Sequence, residues 1–117
     1  MPALNFKKEF AEMVKSGEKR QTIRKFRKDG RDPKAGQTLY LYTGQRTIKC
    51  KKLGEAICTE TTDIIIDYGK IYLNNFPTTE LESLKLAIAD GFHTYKEFQD
   101  FFNKHYWFPF YGLLIRW

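Results

Sequence analysis

The chain has 117 residues, 42% of them hydrophobic and 16% aromatic, and a formal net charge of +6. That is enough apolar material for one buried core, so residues 1–117 are expected to form a single folded domain rather than a disordered chain. No apolar run approaches the roughly 20 residues of a membrane span, the first residues carry no leader-like apolar stretch, and two cysteines cannot build a disulfide framework; the expectation is a cytoplasmic protein with no membrane partner.

The charge is unevenly placed. Residues 1–52 hold 15 Lys and Arg against 5 Asp and Glu, a net of +10, whereas residues 53–117 hold 5 against 9, a net of −4. Such asymmetry points toward a polyanionic partner, with a merely solvated basic face as the plainer alternative.

In chain order, "NFKKEFAEMVKSG" puts Phe6, Phe10, Met13 and Val14 at i, i+4, i+7 and i+8, which predicts a helix over residues 6–16 with Asn5 capping its start. Gly17 suits the left-handed position that ends such a helix. "KFRKDGRDPKAG" reads as a charged loop. "QTLYLYTG" alternates Leu39 and Leu41 with Tyr40 and Tyr42 as a strand, and "QRTIKCKKL" is expected to be the next strand after a Gly44–Gln45 turn. "EAICTETTDIIIDY" and "KIYLN" supply further β-branched strand material.

Two helices follow. "TTELESLKLAIADG" carries Thr79 and Glu82 at capping-box spacing, with Leu81, Leu84 and Ile88 as its expected buried face. "TYKEFQDFFNKH" repeats the spacing with Thr94 and Glu97 and is expected to bury Phe98, Phe101 and Phe102. The apolar end, Phe110 to Arg116, predicts a strand inside a sheet. Together these elements predict an α+β fold: a mixed or antiparallel sheet curled into a small barrel with flanking helices.

Chemistry concentrates in "GEKRQTIRK", Gly17 to Lys25, where Lys19, Arg20, Arg24 and Lys25 surround Thr22. A threonine hydroxyl becomes nucleophilic only when a base takes its proton, and a lysine can do so if burial or neighbouring charge lowers its pKa. Arg20 and Arg24 are suitable neighbours, and both are also expected nucleic-acid contacts. Arginine also holds phosphate oxygens bidentately and stacks on bases, a role open to Arg24 and Arg46; a structural ion pair is the plainer alternative for Arg46. Arg27 and Lys28 in the loop, and Lys49 and Lys51 on the expected strand, extend the cationic set as phosphate contacts. The aromatics near the end read mainly as core, with Trp107 left as a possible base-stacking surface. Cys50, Cys58, His93 and His105 lack metal-ligand spacing and no phosphate-binding glycine loop is present, so neither metal nor cofactor is expected.

The order of "FAEMVKSGEKRQTIRKFRK", "AGQTLYLYTGQRT", "ADGFHTYKEFQDFF" and "YGLLIRW" resembles the ASCH domain family of PUA-like barrels over almost the whole chain, the G-x-K-x-x-T-I-R element being its most specific piece. The resemblance implies a pseudo-barrel with a cleft beside the first helix for RNA or a nucleotide-derived ligand. Some members are amidohydrolases that deacetylate N4-acetylcytidine, using a lysine and a threonine of that motif, matched here by Lys19 and Thr22. Their acidic partner is matched nearest by Asp90, where this chain has Asp in place of Glu. The expected function is binding of RNA or a modified nucleoside in a basic cleft. An amidohydrolase using Lys19, Thr22 and Asp90, or a basic module docking an acidic protein, stand as alternatives.

Overall fold

The computed structural model describes residues 2–117. Residues Ala3–Phe6 form β1, in which Leu4 and Phe6 turn inward and Asn5 outward. Phe6 therefore belongs to a strand, and the helix expected from residue 6 is α1, Lys8–Ser16, with Lys7 rather than Asn5 at its N-cap and no side-chain cap. At its other end Gly17 takes φ 87°, a left-handed conformation that suits glycine, and its N–H reaches the Val14 carbonyl.

After β2 (Gln21–Lys25) and the charged loop come β3 (Thr38–Thr43), β4 (Lys51–Ile57), β5 (Glu60–Asp67), β6 (Lys70–Leu73) and the two-residue β7 (Phe76–Pro77). The segment expected to be one strand from residue 45 is a turn up to Cys50, so Lys49 lies in that turn and Lys51 begins β4. Turn chemistry explains the delay: Thr47 Oγ1 donates to the Gly44 carbonyl and accepts from the Lys49 N–H, closing the loop before pairing resumes. Helices α2 (Glu80–Ala89) and α3 (Tyr95–His105) precede β8 (Phe110–Arg116). Thr79 and Glu82 form the expected reciprocal capping box. Thr94 accepts from the Glu97 N–H, but Glu97 reaches back to the His93 N–H instead.

Two sheets result. One has the order β1-β3-β4, with β1 parallel to β3, and the other the order β2-β8-β5-β6-β7, all antiparallel. The sheets are not closed into a barrel. The second sheet ends at β7, whose two residues include a proline that cannot donate to a ladder, and β2 forms its opposite edge. β8 lies inside its sheet as its hydrophobicity requires. Leu114 and Phe110 join Ile23, Ile64, Ile66, Ile71, Leu86, Phe98 and Phe102 in a core under α2 and α3. Leu113 and Ile115 join Leu4, Phe6, Val14, Leu39 and Leu41 in a second core between the sheets. Gly112 allows β2 and β8 to approach, since a Cβ there would land on the Arg24 carbonyl and within 2.7 Å of the Phe110 ring.

The buried face of α2 is not Leu81, Leu84 and Ile88, which are exposed, but Ser83, Leu86 and Ala87. Small residues let α2 sit close, and the Ser83 hydroxyl shares a 2.7 Å hydrogen bond with Thr78. The same face continues at i+7 to Asp90, so the choice of face carries that carboxylate inward. Among the described residues no helix is long and apolar enough to cross a membrane.

Candidate functional site

The helix-ending turn at Gly17 sets up the site. Two residues later the Lys19 N–H bonds the Met13 carbonyl at 2.9 Å, folding the chain back so that β2 starts alongside the end of α1. Lys19 is thereby 3% exposed, uncommon for a lysine, and its ammonium meets Asp90, itself 5% exposed, at the end of α2. Lys19 Nζ donates to the Asp90 backbone carbonyl at 2.6 Å and to Oδ1 at 3.1 Å, while Gln21 Nε2 donates to the same Oδ1 at 3.3 Å. Burial lowers the Lys19 pKa against the opposing pull of Asp90, and burial raises the Asp90 pKa against the pull of Lys19. Both shifts bring the pair closer to exchanging a proton than two exposed groups would be.

Thr22 and Arg24 are two residues apart on β2 and share a face. Arg24 Nε donates to Thr22 Oγ1 at 3.0 Å and one terminal nitrogen to the Asn5 carbonyl at 2.6 Å, with the guanidinium 4.9 Å above the Phe6 ring. Burial pushes the Arg24 guanidinium down, though arginine stays protonated regardless. Much of its fork is therefore spent inside the protein. It orients the threonine hydroxyl instead of standing free as a phosphate clamp. No hydrogen bond joins Thr22 to Lys19 or Asp90.

Lys19, Thr22, Arg24 and Asp90 all line one cavity of about 250 Å³ along the edge strand β2. Its lining is largely aromatic, with Phe6, Phe10, Phe92, Phe101, Phe102 and Tyr106, and Phe10 packs edge-on against Phe92 and Phe101. Cations sit over several of these rings, Lys19 above Phe10 at 5.1 Å and Lys7 above Phe101 at 4.9 Å. Within the described residues Asp90 Oδ2 accepts no hydrogen bond, although every fully buried side-chain nitrogen and oxygen has a partner. The cavity thus combines aromatic ring surface with a hydroxyl, a carboxylate oxygen and cations in one lining.

The other expected contacts scatter. Arg20 and Lys28 are exposed away from the cavity lining. Arg27 donates to the Ala3 carbonyl at 3.1 Å and lines a separate hollow with Asp32 and Pro33. Arg46 is exposed, with φ 65°, in the turn after β3, and does not join Arg24 over the cavity. Lys49 and Lys51 line a groove on the other side of α1. Trp107 is 90% exposed and outside the cavity. Sequence reasoning missed Asn5, Lys7, Phe10 and Gln21 as site members. Neither Gln21 nor Lys7 was legible, because only the packing of α2 brings Asp90 to Gln21 and only the packing of α3 brings Phe101 beneath Lys7. Among the described residues no group of three or more His, Cys, Asp or Glu is placed to hold a metal.

Comparison with known proteins finds no matching family model, no matching curated protein and no matching solved structure.

Proposed function

We propose that this chain binds RNA or a modified nucleoside by taking a nucleobase into the cavity beside β2, as an ASCH-type domain built on two open sheets. The observation that carries the reading is one lining: the motif residues Lys19 and Thr22, together with Asp90 from a distant helix, face the same aromatic slot. A slot of about 250 Å³ lies just under the roughly 300–1,000 Å³ of sites for drug-sized ligands, which suits one planar heterocycle better than a whole nucleotide. Aromatic rings stack on any base, and the Thr22 hydroxyl with the free Asp90 oxygen can read its hydrogen-bonding edge. Calorimetric titration with N4-acetylcytidine, cytidine and uridine tests this. Saturable binding that is lost in a Phe101→Ala variant is expected, and no binding of any nucleoside, or binding indifferent to Phe101, would refute it.

Hydrolysis of an acylated cytidine is the second reading, favoured by the perturbed Lys19–Asp90 pair beside a threonine hydroxyl. In it, Thr22 Oγ attacks the acyl carbonyl and passes its proton to neutral Lys19. The amine leaves with a proton relayed through Asp90, and water then releases the acyl group from Thr22. The resting geometry ranks it second, because Lys19 is turned to Asp90 and Thr22 to Arg24. Chromatography of N4-acetylcytidine incubated with the protein decides: turnover abolished in Thr22→Val promotes it, and absence of turnover removes it.

A further inference from the structure

The cavity opens beside two grooves that flank α1, and their charges are opposite. One groove shares Phe10, Phe92 and Phe101 with the cavity and is lined by Glu9, Glu97 and Asp100 against one lysine, Lys104. The other, about 610 Å³, shares Asn5, Phe6 and Lys7 with the cavity and is lined by Lys7, Lys8, Lys15, Lys49 and Lys51 against one carboxylate, Glu12. All five lysines are exposed, and among the described residues none of them forms an ion pair.

The lysines are arranged as a track. Lys8, Ala11, Glu12 and Lys15 stand at i, i+3, i+4 and i+7, one face of α1, so its two end lysines lie about 10 Å apart along the helix axis. Lys49 and Lys51 form the facing wall, brought there by the turn that ends β3 and by the pairing of Lys51 with Thr43. Lys7 stands where track and cavity join, held at 3.3 Å from His105 Nε2 and over Phe101. An anion with repeated charges lying along this groove would meet five ammonium groups that no carboxylate pairs, and would displace the salt ions that screen them.

We propose that this groove is a phosphate track, and that the natural ligand is a nucleotide within a single-stranded oligonucleotide instead of a free nucleoside. The proposal rests on the nucleobase reading of the cavity. The base enters beside β2, and its neighbours run along the lysine groove because the opposite exit presents carboxylates. Lysines suit this role better than arginines would, since the backbone needs charge and not a fixed bidentate geometry.

The test compares three proteins: wild type, Lys15→Gln/Lys49→Gln/Lys51→Gln, and a control of equal charge, Lys34→Gln/Lys70→Gln/Lys85→Gln. Binding of fluorescein-labelled octauridylate is read by anisotropy across a salt series, and free nucleoside binding by calorimetry. For single strands each lost phosphate contact flattens log K against log salt by about 0.7, so the groove variant's slope is expected to be about 2 shallower, while wild type loses about 16-fold more affinity than that variant between 50 and 200 mM salt. The control is expected to keep the wild-type slope, and all three proteins to bind nucleoside equally. A groove variant with the wild-type slope, or a control that flattens as much, would overturn the track. So would octaglutamate binding as tightly as the oligonucleotide, which would assign the groove to an acidic protein partner. If wild type takes up no nucleoside yet the groove variant alone flattens the slope, the track stands and the cavity reading falls.

Discussion

Replacing Asp90 with asparagine removes one charge and almost no volume, so it isolates the electrostatics of the site. Lys19 would keep its 2.6 Å bond to the residue 90 carbonyl but lose the carboxylate 3.1 Å away. Stranding one member of a buried pair costs about 3–5 kcal/mol, and the retained carbonyl bond places this case near 3 kcal/mol. For a chain of this length that corresponds to a fall in Tm of roughly 10–15 °C. Urea unfolding followed by circular dichroism gives the free energy, and a thermal scan gives Tm. The double variant Lys19→Met/Asp90→Leu removes both charges together and is expected to return within about 1 kcal/mol of wild type, because well-packed apolar groups replace a desolvated pair at little cost. Asp100→Asn, at the exposed Lys96–Asp100 pair, serves as the internal control and should leave the midpoint unmoved. A loss below about 1 kcal/mol for Asp90→Asn would refute the reasoning, since only a pair without a charge to strand, or one still reached by water, behaves that way.

Three further outcomes follow from the same geometry. Because burial holds the Lys19 pKa below its ordinary 10.5, the unfolded chain binds more protons than the folded one between those two values; stability should therefore rise with pH there, and urea midpoints of wild type minus Lys19→Met should show the rise, while a flat difference would contradict it. Gly112→Ala should cost about 3 kcal/mol, as the new methyl meets the Arg24 carbonyl and the Phe110 ring with no room to relax, and a midpoint at the wild-type value would disprove the close approach of β2 and β8. Leu86→Ala should cost about 2–5 kcal/mol whereas Ile88→Gln should cost under about 0.5 kcal/mol, and the reverse order in urea midpoints would place the other face of α2 inward.

Much of the fold was legible because local chemistry decides it. The Thr79–Glu82 capping box, the glycine after α1 and the apolar β8 each sit where their residues direct. The errors have a common cause in tertiary competition. Phe6 satisfies a helical spacing with Phe10, but the Leu4–Phe6 alternation beside β3 claims it for a strand. In α2 the larger apolar residues lose the core to Ser83 and Ala87, which permit a closer approach. Barrel closure depends on whether two sheet edges meet, which is a tertiary matter; Pro77 marks where the β7 ladder stops, but nothing local says whether β2 reaches another edge. The site divides in the same way. Lys19, Thr22 and Asp90 are brought to one cavity from motif positions 71 residues apart at the widest. Arg24 was recognisable as a site residue but not as a positioning one, because its partner is a backbone carbonyl 19 residues upstream.

The most direct measurement is amide chemical-shift mapping on the isotopically labelled protein as N4-acetylcytidine is added. The residues that move are expected to lie in Lys19–Arg24, Gly91–Phe92 and Phe101–Tyr106, around the aromatic cavity. Shifts confined to the separate groove between Gly69 and Tyr95, or none at saturating nucleoside, would contradict it.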